Sequence, residues 1–446
     1  MGTTRDIAEF AYKTSFEDFD PAVVKHIKNV LLSGVGMTLA GVGTKTGRAV
    51  VGYVKDCAAP QEAGVLGTGL RTSTEYAALA NGTAAHATEL EDDTFPEGTY
   101  SVGIFPGILA LGEKLHISGP DVLESFVIAW DVASKLGLAS IPMLKRGLLA
   151  ASAYCTIGVT AASAKMLKLG VDGTVMAVSV AASHACGLVS QTGSGAHLYE
   201  AGLSGRNAIA AAMLAKHGLT GQPDILEIPM GYLDAVAGVT YPDLKLGEPY
   251  RVRDIGIKRY PCCFVEMHPI EGVLELIRTH RIVADEVESV QVHVYPGLTK
   301  VVRFHHPKDQ DEARFSLPHS IACCFLDGTP WMESYTTERA NDPQVIAFRN
   351  KVRMVVHPEW DGPGLAGGEI PITIRLKDGR EYQKICPKAT DPIEFTDAEV
   401  VNKYMRSTQG LLSQERAERV AEIVLSLEKV EDITELMTLL TFPDKP

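Results

Sequence analysis

The sequence predicts a mostly α protein, with a large all-helical domain into which a smaller α+β domain is inserted. Three observations predict this. Residues 148–217 are unusually rich in Ala, Ser and Gly and divide into three helical stretches, broken near 170–172 and 187–195, a composition that suits tightly apposed helices. Period-two alternation begins only after about residue 242, where Val290, Val292 and Val294 alternate with Gln291, His293 and Tyr295. Thr396 and Glu399 then have capping-box spacing, and helical periodicity returns. The expected division is a discontinuous helical domain, 1–243 plus 392–446, around an α+β domain, 244–391.

In chain order, residues 6–12 suit a short amphipathic helix. Asp20 followed by Pro21 is a cap with proline at the first helical position, opening a helix whose apolar face is Val24, Ile27, Val30 and Leu31. Gly34, Gly36 and Gly41 follow in an apolar run, where absent side chains suit close helix approach. Residues 48–57 form the next helical stretch. Thr72 and Glu75 have capping-box spacing, so a helix starts near Ser73, repeats Tyr76, Leu79, Ala80 and Ala84 at helical intervals, and carries His86. Stretches 105–115 and 120–136 are helical again, the second opened by Ser118. No sheet pattern precedes Ile225.

In the α+β segment, 269–279 and 318–326 have periodic apolar positions, and 351–356 alternates. Residues 370–376 and 381–385 form a hairpin around the Asp378, Gly379 turn. Residues 416–427 and 433–440 are helical and are expected to rejoin the first domain. The linker candidates are the Pro/Gly-rich stretches 221–250 and 357–368, and no internal repeat is visible.

The chemistry centres on residues 81–101, where an Ala-rich helix runs abruptly into Glu89, Glu91, Asp92 and Asp93. These carboxylates fall at a helix C-terminus, which disfavours negative charge, and Pro96 and Gly98 stop the helix. A solvated acidic loop is the plain alternative. Apolar helices on both sides favour the wall of a site.

At 446 residues and 46% hydrophobic content, the chain is long enough for two or three well-buried domains. A net charge of -13 without a Lys/Arg block argues against nucleic-acid and anionic-membrane partners. The first residues lack the apolar core of a signal peptide and no uncharged apolar run makes a plausible membrane-spanning helix, so a cytoplasmic location is expected. The 8 cysteines show no CxxC spacing and suit reduced, packed thiols. Neither metal nor organic cofactor is implied by the spacing of possible ligands.

No GxGxxG after a strand, GxxxxGK[ST], HExxH or GxSxG occurs, and Gly193, Ser194, Gly195 lacks the lysine and preceding strand of a phosphate loop. What remains is a scatter of His, Tyr, Lys and carboxylates. Such a set suits proton transfer at a carbon next to a carboxylate without a cofactor.

Four motifs occur in order: Asn81, Gly82, His86 and the acidic run; the small-residue helices through Gly202 to Gly221; Lys258, Arg259, Tyr260, Pro261, Cys262 and Cys263; and Ala313 to His319 through Asp327 and Gly328. Together they resemble the MmgE/PrpD family over nearly the whole chain. The resemblance implies a helical domain with a smaller α+β lid, a homodimer, and an enzyme acting on a small anionic polycarboxylate. The family includes dehydratases, decarboxylases and an iminodisuccinate epimerase.

Departures from the family pattern bear on the reaction. The family's HALDFDD becomes His86 to Asp93 with Glu89, and the histidine of the following His-Pro-Ser is lost at Thr99, Tyr100, Ser101. Another family histidine falls at about Leu149, a family lysine aligns with His197, and a family tyrosine with His319. Lys258 is retained. A site rebuilt at so many positions should not run dehydration or decarboxylation unchanged, because expelling hydroxide or carbon dioxide needs its own acid or charge stabiliser. The first expectation is therefore an epimerase working by two-base proton transfer on an iminodisuccinate-like substrate. The alternatives are a hydro-lyase or decarboxylase on a tricarboxylate, and an inactive binding member of the family.

The candidate catalytic residues are His197, His319, Lys258 and Tyr154. Candidate substrate-binding residues are His86, Glu89, Asp93, Thr99, Lys145 and Arg146, with Arg206 a further cation and His268 one position away from a family histidine. For each, a cap, a packed polar group or a surface ion pair is the plain alternative.

Overall fold

The computed structural model describes residues 2–94, 98–360, 367–391 and 393–442. The helix stop at Pro96, part of the 357–368 linker candidate and the boundary residue 392 lie outside them. The chain divides into one unit of Met1–Gln191, Gly195–Ile257 and Glu394–Pro446, and a second of Thr192–Ser194 and Lys258–Ile393.

The first unit begins with α1 (Thr3–Lys13), α2 (Pro21–Val42) and α3 (Lys45–Asp56). The Asp20 carboxylate accepts from the backbone of Ala22 and Val23 ahead of Pro21, which is how this cap is expected to work. Next come α4 (Thr74–His86), capped by Ser73, then α5 (Ser101–Leu115) and α6 (Gly119–Ala139), capped by Ser118. The small-residue block forms α7 (Ala150–Met166), α8 (Gly170–Ala182) and α9 (Gly195–Lys216). Tyr100 and Phe126 pack on Trp130, with ring centroids 5.6 and 5.7 Å away, at the centre of this core.

Strands do occur before Ile225, contrary to the sequence expectation. β1 (Ala63–Val65) and β2 (Leu70–Thr72) make a three-residue antiparallel hairpin, and β3 (Asp92–Asp93) pairs with β4 (Gly256–Ile257), Asp92 opposite Ile257. Strands of two or three residues are too short to show alternation. Asn81 holds the first hairpin: its side chain accepts from Leu66 N at 2.9 Å and donates to the Gly64 carbonyl at 3.0 Å.

In the second unit, α10 (Met267–His280) packs on a four-stranded sheet, and α11 (Leu317–Leu326) is capped by Ser316, which accepts from His319 N, with Pro318 in its first turn. The strands are β5 (Val287–Val294), β6 (Val352–Val356), β7 (Ile370–Leu376) and β8 (Glu381–Cys386), in the order β6-β5-β7-β8. β5 and β6 are parallel, and the other pairs antiparallel. Val290, Val292 and Val294 are fully buried with Ile370, Ile372 and Ile374, the alternation visible in the sequence. Gly379 closes the β7–β8 turn at φ 89°, a conformation that favours glycine.

After residue 393 the chain returns to the first unit as α12 (Asp397–Thr408), α13 (Gln414–Leu425) and α14 (Thr434–Thr441). The Thr396–Glu399 capping box is formed, and α12 packs against α2. Among the described residues, no helix is long and apolar enough to cross a membrane.

Candidate active site

α4 and α9 touch backbone to backbone. A Cβ on Gly82 would lie 2.7 Å from Gly202 Cα, and one on Gly202 would lie 2.1 Å from the Leu79 carbonyl oxygen. Only glycine permits that approach. His86 lies four residues after Gly82 and His197 five before Gly202, so an antiparallel crossing sets these histidines face to face. Their ring centroids are 4.6 Å apart, with the planes at 61°.

α4 ends at His86, and the chain then bends back through Glu89, which adopts a left-handed φ of 53°. For a non-glycine residue that conformation costs on the order of 1–3 kcal/mol. It returns the Glu89 carboxylate to the helix end, where Oε1 is 3.3 Å from His86 Nε2 and 3.7 Å from His197 Nε2. Glu91 Oε1 lies 3.9 Å from the same His86 nitrogen. All four side chains are buried. Glu89, Glu91 and Asp92 of the acidic run are therefore buried and do not form a solvated loop.

Asp92 is buried beside them. Ser101, the first residue of α5, donates its hydroxyl to the Asp92 carboxyl. Burial, and next the charge of Glu91, push the Asp92 pKa up to about 8, with Lys403 of α12 opposing. Asp92 thus keeps its proton at neutral pH. Lys403 donates to the Leu90 carbonyl. One turn beyond His197, Glu200 accepts from Leu188 N at 2.9 Å and lies 3.4 Å from the Ser152 hydroxyl; burial raises its pKa, against the Leu188 hydrogen bond and the His86 charge.

The remaining candidates are placed as follows. Tyr154 on α7 is fully buried, faces Ser140 and meets the Tyr232 ring at 6.3 Å; burial holds its pKa far above the usual phenol value, so it is an acid or a donor and not a base. Asp93 and Thr99 are half-buried, and Asp93 accepts from Thr94 N at 2.8 Å. Lys145 and Arg146 are exposed, and Arg146 donates to the Ala235 carbonyl at 2.7 Å at the end of the short helix Tyr232–Ala237. Arg206 lies 6.0 Å from the centroid of the Tyr76 ring. In the second unit, Lys258 is buried near the Cys262 thiol. His319 is fully buried, and its Nε2 lies 2.8 Å from the Ser334 carbonyl, which can only accept, so the proton sits on Nε2. Burial is the main cause that lowers its pKa to about 4. His268 is bonded to the Asp391 carbonyl at 3.0 Å.

Sequence reasoning missed Glu200, Ser101 and Lys403, and it named Glu91 and Asp92 only as members of a run. One signal was available for Lys403, because Val400, Lys403, Tyr404 and Ser407 mark the buried face of α12, where a lysine is out of place. The expectation that no ligand cluster exists also needs correction. His86, Glu89 and His197 each offer a ligand atom, and the three atoms lie within 4.8 Å of one another. A separation of more than a hundred residues hid this set.

Comparison with known proteins gives a consistent result. The model described as MmgE/PrpD N-terminal domain matches residues 5–245, and that of the MmgE/PrpD C-terminal domain matches 260–429. A cis-aconitate decarboxylase of Mus musculus is 25% identical, over 99% of this chain and 93% of its own. The Homo sapiens protein of the same name is 26% identical, over 95% and 91%. A mitochondrial 2-methylcitrate dehydratase of Yarrowia lipolytica is 24% identical, over 67% and 61%.

Proposed function

The chain belongs to the MmgE/PrpD family, and from that premise we propose that it is an enzyme that moves a proton at a carbon next to a carboxylate in a small polycarboxylate, with epimerisation as the outcome. The observation that carries this reading is the pair of buried imidazoles sharing the Glu89 carboxylate. A histidine that removes a carbon-bound proton becomes an imidazolium, and a carboxylate at 3.3–3.7 Å stabilises that charge without taking the proton. Asp92, neutral at pH 7, adds no negative charge against an anionic substrate.

With centroids 4.6 Å apart, His86 and His197 leave no room for a substrate between them. They act as one base set on one face of the carbon. Tyr154, whose buried phenol keeps its proton, is the candidate for the acid on the other face. An iminodisuccinate-like dicarboxylate is the substrate class, and the residues altered at Thr99, Leu149, His197 and His319 are the reason to place epimerisation ahead of elimination.

Two observations favour a second reading, decarboxylation or dehydration of a tricarboxylate. The relatives carry the names of lyases, and Asp92 holds a proton that a departing hydroxide would need. Incubating the enzyme in heavy water with a panel of di- and tricarboxylates tests both. Deuterium gain in recovered substrate of inverted configuration supports epimerisation, release of carbon dioxide or an alkene product supports the second reading, and no exchange with any substrate counts against proton transfer.

A further inference from the structure

We infer that His86 Nε2, Glu89 Oε1 and His197 Nε2 form a binding site for a divalent transition-metal ion, and that the bound ion and proton transfer exclude one another. Two imidazoles and one carboxylate are a donor set that Zn²⁺, Co²⁺ and Fe²⁺ accept. The separations fit. Ligands at the usual zinc distances stand about 3.3 Å apart around a tetrahedral ion, and Glu89 Oε1 lies 3.3 Å from one nitrogen and 3.7 Å from the other. Glu91 Oε1, 3.9 Å from His86 Nε2, is close enough to become a fourth ligand after a small movement. All four groups are buried, and two carboxylates against two imidazoles match the charge of a divalent ion.

The fold holds the geometry in advance. Gly82 and Gly202 fix the helix crossing that opposes the two histidines, and the left-handed Glu89 fixes the third ligand. An ion at this point takes the Nε2 lone pairs that would accept a proton from substrate, so metal occupancy is an inhibited state. This second half rests on the proposed proton transfer, while the binding site stands without it.

The test uses the full chain, stripped with EDTA and titrated with Co²⁺ while its visible absorption bands are followed, with Zn²⁺ as competitor. One Co²⁺ per chain is expected, displaced by Zn²⁺. His86→Asn, His197→Asn or Glu89→Gln should weaken binding by more than the ~10–100-fold that loss of a group bonded to a ligand costs. His293→Asn should leave it unchanged, since His293 bonds His357 on the other unit's sheet. If the ligand variants fail to fold, X-ray absorption of the wild-type Zn²⁺ complex decides: two imidazole nitrogens and carboxylate oxygen are expected. Absence of binding, a first shell without two imidazoles, or binding lost in His293→Asn overturns the site. Solvent exchange into substrate, measured on metal-free and Zn²⁺-loaded protein, tests the exclusion separately. It should be abolished by Zn²⁺ and restored by EDTA, and unchanged exchange in the loaded protein refutes the inhibited state alone.

Discussion

Gly82 and Gly202 meet across α4 and α9 so closely that neither tolerates a Cβ, and the contact lies one helical turn from the His86–His197 pair. A Gly82→Ala variant should therefore lose about 1–3 kcal/mol through overpacking. Gly52 offers the control, because it sits inside α3 with open space where its Cβ would be. There Gly→Ala should stabilise by roughly 0.5–1 kcal/mol. Denaturant midpoints at constant slope measure both, and equal responses at the two glycines would refute the packing account.

If His86 and His197 form the base set proposed for one face of the substrate carbon, removing either should block proton removal from one stereoisomer far more than from the other. A general base typically contributes on the order of 10² to 10⁴ in rate. Solvent deuterium exchange, measured for each stereoisomer with His86→Asn, His197→Asn and Tyr154→Phe, reads this directly. Equal, modest losses in both directions for all three would rule out the assignment.

Glu89→Gln should keep the shape of the turn and remove the charge that stabilises an imidazolium. Its exchange rate should fall while its thermal stability stays close to wild type. A rate unaltered by the substitution would remove Glu89 from the mechanism.

The Asp92 carboxyl, ordinarily at 3.8, is pushed up to about 8 in the fold, chiefly by burial. Between these the unfolded chain releases a proton that the folded chain keeps, so stability falls as pH rises through the window. Asp92→Asn does not titrate. Its Tm relative to wild type should therefore increase from pH 4 to pH 8, and a constant difference would mean that Asp92 is ionised in the fold.

His319 titrates in the opposite sense. Burial lowers its pKa to about 4 from the ordinary 6.5, so the unfolded chain takes up a proton first and stability is lost as pH falls from 6.5 towards 4. Its ring resonances, followed by NMR, should show a neutral Nε2–H tautomer at pH 6. A midpoint near 6.5 would mean that the ring is not shielded from water as its burial implies.

The sequence by itself determined the fold class and the family. Capping residues such as Asp20, Ser73 and Thr396, helical apolar periods and the Val290, Val292, Val294 alternation act within a few residues, so they can be read along the chain. It also pointed to the acidic run and to His86 and His197 as separate candidates. Tertiary structure decided that these two share Glu89, that Asp92 keeps its proton, that Lys403 reaches the Leu90 carbonyl, and that His319 is a buried neutral imidazole. These outcomes depend on which helices touch and on how much water the contact removes. Both are set by packing between segments far apart in sequence, where no local period carries the information.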